Sequence, residues 1–338
     1  MKTKKALGTV FLLITAFIWG SSFVSQSDAM KHIKPFTMNA LRSLLSCVFL
    51  LILAAIFSAA KKQKFVFMGK ADKKEAKKAF LGGLACGVFL TGAMAFQQFG
   101  IAYTTVGRAG FITVLYIVIV PVIGLFIGIK PEWNAWVSLF PALAGFALMC
   151  LVGDDMSLSK GDLLVLICAV FFAFHIISVD KFARDIDGVW LSLIQFAVCC
   201  VVSGVLALIF ERPNINDILA AWFPIFYAGV FSSGIAYTLQ IFGQKYVEPQ
   251  LAVLLMSLES VFAGVSAFLF RGQKMSGVEI AGSALVFVAV VFAQLDFKKF
   301  KKQKLVAVNQ SAGEKNNNEK IAEASDFAET NSNGGEEK

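Results

Sequence analysis

Charged residues are scarce in this chain of 338 residues. Asp, Glu, Lys and Arg together make up 16% of it, against roughly 25% in an ordinary soluble domain. Hydrophobic residues make up 57%, and the mean hydropathy is +0.71. Apolar runs close to the ~20 residues that cross a hydrocarbon core recur along the chain. This composition excludes an ordinary soluble protein and indicates a protein that lies within a membrane.

The residues of common catalytic and metal sites are also few. The chain has two histidines and no His-Glu-x-x-His motif, and its six cysteines all lie within apolar runs without ligand-like spacing. Such cysteines are typical of small packing residues rather than metal ligands. A P-loop is absent as well. We therefore expect no metal, no cofactor and no direct use of ATP, and an intramembrane enzyme is disfavoured because it would need a nucleophile–base pair or metal ligands.

Ten apolar runs are long enough to be membrane-spanning helices. Their approximate spans are 7–26, 36–60, 79–99, 109–129, 135–152, 163–179, 189–210, 220–242, 251–270 and 278–295. We predict an all-α polytopic membrane protein with ten transmembrane helices. Residues 297–338 are rich in Asn, Glu, Gly and Ser after a lysine cluster, which predicts a disordered cytoplasmic tail.

The formal charge of +8 does not indicate nucleic-acid binding, because the basic residues lie in loops between the apolar runs. If the amino terminus is cytoplasmic, twenty Lys and Arg residues fall in inside segments and seven in outside segments. Positive residues are enriched on the cytoplasmic side of membrane proteins. We therefore predict a multi-pass protein of the cytoplasmic membrane with both termini in the cytoplasm, in contact with the lipid bilayer and with no nucleic-acid partner.

The second half of the chain resembles the first. Residues 96–121 align without a gap on 239–264, which places Gln97 on Gln240 and Tyr116 on Glu259. A fixed spacing between similar segments indicates an internal duplication. A further alignment, displaced by ten residues because of the long lysine-rich loop around 61–78, places Arg42 on Gln195 in the same way.

These alignments divide the chain into a first repeat over 6–152 and a second over 161–296. Each predicted repeat holds five helices, and an odd number of crossings makes the second copy enter the membrane from the opposite side. Inverted repeats of this kind build secondary transporters, in which two similar halves move about a site at mid-depth. We therefore expect two inverted five-helix repeats around a central site.

Four segments resemble a known family. They read AFIWGSSFV, NALRSLL, QFGIAYTTVGRAGFITVLYIVIVPV and FGQKYVEPQLAVLLMSLESVFAG. Together they resemble the EamA-type transporters of the drug/metabolite transporter superfamily, over about residues 6–296. The resemblance implies ten helices in two EamA repeats, cytoplasmic termini, and movement of small metabolites, often outward from the cytosol.

Arg42 lies in a segment that is otherwise strongly apolar, MNALRSLLSCVFL over residues 38–50. Facing lipid, it would cost about 2.5–3.5 kcal/mol at the bilayer centre and less nearer the surface. One hypothesis is a fixed cation that attracts a carboxylate or phosphate of the substrate. The other is a structural pair with a carboxylate or with helix-end carbonyls, and both stay open.

Glu259 is the single carboxylate that lies well inside a predicted span. A carboxyl group at that depth could bind a proton on one side of the membrane and release it on the other, or pair with a substrate amine. Two structural alternatives remain, namely an ion pair with Arg42 and a neutral, hydrogen-bonded acid.

Four amides are further candidates for binding the substrate. Gln97 and Gln240 occupy equivalent places in the two repeats, and their side chains both donate and accept hydrogen bonds. They could equally form hydrogen bonds between helices. Asn39 is three residues before Arg42 and shares its helix face, and Gln195 stands in the place of Arg42 in the second repeat. Asn39 and Gln195 are expected to line the cavity.

Bulky amphipathic residues within the spans complete the candidate site. Trp19, Tyr116 and Tyr237 are candidate substrate contacts, although Trp and Tyr near span ends are often interfacial anchors. Tyr116 ranks first because it is equivalent to Glu259. His175 is a candidate for proton coupling, with a satisfied core histidine as the alternative.

The sequence thus favours a secondary active transporter of a small amphipathic solute, amino-acid-like in size, that works by alternating access, as an exporter and with proton coupling. Efflux of hydrophobic cations and an uncoupled facilitator are the alternatives. A homodimer is the one protein partner that we consider.

Overall fold

The computed structural model describes residues 2–60, 73–126, 133–151, 159–247, 249–273 and 276–293. Every regular element within these ranges is helical. The helices are α1 (Lys2–Ala29), α2 (Pro35–Ala60), α3 (Lys73–Ile101), α4 (Val106–Thr113), α5 (Tyr116–Phe126), α6 (Trp133–Leu151), α7 (Lys160–Phe182), α8 (Gly188–Phe210), α9 (Ile215–Ala220), α10 (Trp222–Phe226), a π-helical segment (Tyr227–Ala236), α11 (Tyr237–Tyr246), α12 (Pro249–Arg271) and α13 (Gly277–Ala293). The all-α prediction is confirmed over these residues.

The bundle exposes apolar side chains on its outside. Leu208 and Phe270 are 72% and 71% exposed, which would be costly in water and is expected of a surface covered by lipid. By length and composition, seven helical segments in the described ranges can cross a membrane. They include Val106–Phe126, which joins α4 and α5, and Trp222–Tyr246, which joins α10, the π-helical segment and α11. The protein is a multi-pass membrane protein, and a count of ten spans stays a prediction.

Contacts between helices follow the internal duplication. Helix α7 of the second repeat is equivalent to α1, and α4/α5 of the first repeat is equivalent to α12. Helix α1 packs on α12, and α7 packs on α4/α5 in the same way. The π-helical segment and α11 together are equivalent to α3. Helix α3 packs on α7 and α8, and its equivalent packs on α1 and α2, where the contact with α2 is made by the π-helical segment. The pairs α2/α8 and α6/α13 each join equivalent helices. Exchanging the two repeats therefore reproduces these main contacts, as expected for two copies around an approximate two-fold axis.

Two predicted helices are interrupted in the structure. The run 109–129 is divided between α4 and α5, with hydrogen bonds of the i to i−3 kind around Val114 and Leu115. Pro121 lies farther along, inside α5. The run 220–242 contains the π-helical segment, whose wider turns are typical of functional sites. Both interruptions lie beside the cavity described below.

Gly83 and Gly87 of α3 are four residues apart, a spacing of small residues that predicts close packing between helices. An added Cβ at Gly83 would lie 2.5 Å from Ile194 Cγ2, and one at Gly87 would lie 2.7 Å from Val198 Cβ. Both neighbours belong to α8, so the predicted small-residue face of α3 packs against that helix. The lysines at 61–72 and the predicted tail 297–338 lie outside the described residues.

Candidate functional site

A cavity lies inside the bundle where α1, α2, α3, α4, α5, α7, the π-helical segment, α11 and α12 converge. About 410 Å³ of empty space lies among its lining atoms, and part of that space is open to the outside. The lining consists of Trp19, Ser22, Phe23, Gln26, Arg42, Gln97, Thr113, Tyr116, Phe172, Ile176, Ser232, Tyr237, Gln240 and Glu259. Both repeats contribute to it, as expected of a site between two duplicated halves.

Arg42 is 2% exposed and is held by three neutral oxygens. Its Nε donates to Ser233 Oγ at 3.0 Å, Nη1 to Gln26 Oε1 at 2.9 Å and Nη2 to Ser232 Oγ at 3.2 Å. Gln26 comes from α1, and the two serines come from the π-helical segment. The guanidinium therefore connects the first repeat to the second without a carboxylate partner in the described ranges.

A hydrogen-bonded network surrounds this arginine. Gln26 Nε2 donates to Ser22 Oγ at 3.1 Å, and Ser232 Oγ donates to the same oxygen at 3.3 Å. Trp19 Nε1 donates to the Ser232 carbonyl at 3.3 Å. The backbone carbonyl of Gln26 also accepts from Gln98 Nε2 at 3.2 Å. This wall of the cavity is therefore polar, ordered and neutral except for the arginine itself.

Glu259 and Tyr116 form another part of the wall. Glu259 is 3% exposed and Tyr116 is 2% exposed. The two side chains lie close enough to interact, yet within the described residues neither the Tyr116 hydroxyl nor Glu259 Oε1 has a partner that meets the distance and angle of a hydrogen bond. Buried polar atoms almost always have partners, and an exception needs an explanation such as a water or a bound group. These atoms are available to a ligand in the cavity.

Arg42 and Glu259 do not pair with each other, although both line the cavity. The hydrogen bonds of Arg42 all go to neutral oxygens, and the ion pairs in the described ranges involve other residues. The structural pair that the sequence left open is therefore not formed. The cavity instead holds one cation and one carboxyl group at separate places on its wall.

Aromatic rings form the apolar part of the cavity. The ring centroids of Trp19 and Tyr237 are 4.6 Å apart, and the ring centroids of Tyr116 and Phe172 are 6.5 Å apart. Gln97 Nε2 donates to Thr113 Oγ1 at 3.4 Å on the first-repeat side. Few polar groups among apolar walls are typical of a small-molecule site.

Seven of the ten candidate residues line the cavity together. They are Trp19, Arg42, Gln97, Tyr116, Tyr237, Gln240 and Glu259. Asn39, His175 and Gln195 are buried but do not line it. His175 Nε2 and Gln195 Oε1 lie 3.0 Å apart in a hydrogen bond between α7 and α8. These two atoms therefore bind each other outside the cavity.

Several lining residues were not predicted. Ser22 and Gln26 follow Trp19 by three and seven residues, so this helical spacing could have indicated one shared face. Ser232, and Ser233 beside it, which binds Arg42 without lining the cavity, gave no comparable signal. Neighbouring residues of an α-helix point roughly 100° apart, and the π-helical turns that bring both towards Arg42 have no reliable sequence pattern.

Comparison with known proteins places this architecture. The model of the EamA-like transporter family matches residues 6–151 and again 159–294. An uncharacterized transporter of Archaeoglobus fulgidus is 25% identical over 298 residues, covering 86% of this chain and 87% of that protein. A crystal structure of another protein has a TM-score of 0.62 at 17% identity, covering 87% of this chain and 96% of that chain, which indicates a shared fold. The chain belongs to the EamA-like transporter family, with two tandem EamA repeats, and is a membrane transporter.

Proposed function

We propose that the protein is a secondary active transporter of a zwitterionic, amino-acid-like solute, which it exports from the cytosol by alternating access with proton coupling. One observation carries the proposal: Arg42 and Glu259 line the same aromatic-walled cavity without pairing with each other. A zwitterion matches such a wall, because its carboxylate can bind the guanidinium while its amine binds the carboxyl group.

Glu259 is proposed to exchange its amine partner for a proton during the transport cycle. A buried carboxyl group is unfavourable as an isolated anion, so it should bind either a cationic group or a proton. Glu259 Oε1 and the nearby hydroxyl of Tyr116, which have no partner at hydrogen-bond geometry among the described residues, support this role. Protonation from outside would then favour release of the solute and couple export to the proton gradient.

Alternating access is proposed from the duplicated contacts, and the cytoplasmic termini are proposed from the distribution of lysine and arginine. Efflux of hydrophobic cations would use Glu259 and the aromatic rings but would leave Arg42 without a role. That alternative is less consistent with an arginine that is buried, hydrogen-bonded and without a carboxylate partner among the described residues.

Transport in proteoliposomes tests the proposal with three related probes: leucine (zwitterion), N-acetylleucine (anion) and leucinamide (cation). Each is measured with and without a proton gradient. We expect Arg42→Gln to lose leucine transport and Glu259→Gln to lose the response to the gradient while still exchanging leucine. Arg184→Gln removes an arginine that is 64% exposed and remote from the cavity, and it is the matched control. Transport of leucinamide alone by the wild type would support cation efflux instead.

A further inference from the structure

We infer that Ser232 and Ser233 determine the charge selectivity of the cavity, because they hold Arg42 with neutral hydroxyl groups and leave its positive charge available to a carboxylate. This inference rests on the proposed function, in which Arg42 binds the carboxylate of the solute. It adds to that function a role for two residues, Ser232 and Ser233.

Other arginines near the ends of the helices have carboxylate partners. Arg271 Nη2 lies 2.8 Å from Asp28 Oδ1, and Arg108 Nη2 lies 3.0 Å from Asp162 Oδ2. Both arginines are 18% exposed, whereas Arg42 is 2% exposed. Burial of an unpaired charge is costly. Among these three arginines, the most buried is thus the one held by neutral groups alone.

The hydrogen bonds of Arg42 use three of its five N–H donors. A guanidinium has five N–H donors, one on Nε and two on each terminal nitrogen. Ser233 takes the Nε donor, while Gln26 and Ser232 take one donor on Nη1 and Nη2 respectively. Within the described residues, one N–H on each terminal nitrogen therefore remains without an acceptor. Two such donors fit the two oxygens of a carboxylate, which arginine binds in a bidentate manner.

The π-helical segment explains how consecutive serines reach one guanidinium. Side chains of neighbouring residues diverge less in the wider π-helical turn than in an α-helix. The segment also approaches α2 closely, because a Cβ added at Gly229 would lie 3.1 Å from the Arg42 carbonyl oxygen and 2.7 Å from Leu45 Cβ. Glycine at this position lets the two backbones approach, and Ser232 and Ser233 then lie within hydrogen-bond distance of Arg42.

A carboxylate placed at either serine would neutralise Arg42 from within the protein. We therefore compare Ser233→Asp and Ser232→Asp with Ser203→Asp, which places the same group at a buried serine of α8 outside the Arg42 network. Ser232 lines the cavity, so its variant keeps the test valid if Ser233→Asp fails to fold. Arg42→Gln is the fourth variant.

Phenylglyoxal, an uncharged dicarbonyl that modifies guanidinium groups, reports on Arg42 without any knowledge of the solute. Peptide mass spectrometry measures its rate of reaction with Arg42 in the purified protein. We expect the Ser232→Asp and Ser233→Asp variants to react about tenfold more slowly than the wild type, which corresponds to ~1.4 kcal/mol. Ser203→Asp should react at the wild-type rate. In proteoliposomes, the first two variants should also lose transport of leucine and N-acetylleucine relative to leucinamide.

The outcomes separate this inference from the proposed function. Unchanged leucine transport in Arg42→Gln would overturn the proposed function. Loss of transport in Arg42→Gln together with wild-type reactivity and transport in both aspartate variants would overturn only the role of Ser232 and Ser233. If the wild type transports none of the three probes, the proposed substrate class fails, and the labelling rates still decide whether the serines control the charge of Arg42.

Discussion

Replacement of Asp162 by Asn should destabilise the folded protein markedly. Asp162 is fully buried at the start of α7. One carboxylate oxygen accepts from Thr104 Oγ1 at 2.6 Å, and the other accepts from the Ser159 backbone N–H at 3.1 Å and lies 3.0 Å from Arg108 Nη2. The side chain thus joins the loop between α3 and α4, in the first repeat, to the first turn of the second repeat.

The magnitude follows from the groups that lose their partner. Removing one partner of a buried ion pair costs about 3–5 kcal/mol, and loss of a capping interaction costs about 0.5–2 kcal/mol. Arg108 is 18% exposed and can recover some hydration, while asparagine keeps one carbonyl acceptor. We therefore expect a loss of about 2–4 kcal/mol. The asparagine N–H groups would also face donors, which adds to the cost.

The matched control is Asp180→Asn on the same helix. Asp180 pairs with Arg184 at 3.7 Å, four residues away, and their side chains are 35% and 64% exposed. Exposed pairs of this kind contribute roughly 0.3–0.5 kcal/mol. The same chemical change at the two ends of α7 should therefore have very different effects on stability.

Thermal unfolding in detergent, followed by the fraction that remains monodisperse after heating, measures both variants. At about 2 °C per kcal/mol, the lower end of the range for 150–250 residues because this chain has 338 residues, Asp162→Asn should lower the midpoint by roughly 4–8 °C. Asp180→Asn should lower it by about 1 °C or less. Equal midpoints for the two variants would refute the reasoning, because they would mean that burial of the Asp162 cluster contributes nothing to stability.

Three further predictions concern packing, topology and the tail. Gly83→Val should reduce the folded yield because the added side chain meets α8 at 2.5 Å, whereas Gly204→Val should not, because an added Cβ there meets nothing within 4 Å. The yields of the two variants from equal amounts of membrane test this prediction. Single cysteines at Lys70 and Asp155, in an otherwise cysteine-free chain, should react with membrane-impermeant reagents from opposite sides; reaction from one side contradicts the inverted topology. Removal of residues 305–338 should leave insertion and transport within about twofold of the full chain, since that segment has no apolar periodicity; a normally inserted truncation that does not transport would contradict this.

Much of the fold could be predicted because the bilayer imposes few solutions on an apolar chain. A segment that crosses hydrocarbon must satisfy its backbone internally, so long apolar runs predict helices. The small-residue face at Gly83 and Gly87 likewise predicted close packing, and both positions contact α8. The break at Val114 and the π-helical turns could not be predicted, because they depend on how neighbouring helices fill space rather than on local composition.

The candidate site was predictable to the extent that polar residues are costly in a membrane. Arg42 and Glu259 are exceptional within apolar runs, and both line the cavity. Asn39 and Gln195 were equally conspicuous but do not line it. Helix periodicity shows which residues share one face of a helix. It does not show what that face packs against, which here depends on the packing of α2 on α8.

The two repeats have similar helices but carry different residues at equivalent positions. Arg42 aligns with Gln195, and Glu259 aligns with Tyr116, so each charged residue has a neutral counterpart in the other repeat. Tyr116 lies beside Glu259, whereas Gln195 is hydrogen-bonded to His175 away from the cavity. A cation at the Gln195 position would lie outside the cavity, and a carboxylate at the Tyr116 position would give the cavity two carboxyl groups for one cation, so that a zwitterion could match only one of them. One of each leaves both available to a ligand, so the loss of symmetry in charge is what the proposed binding of a zwitterion requires.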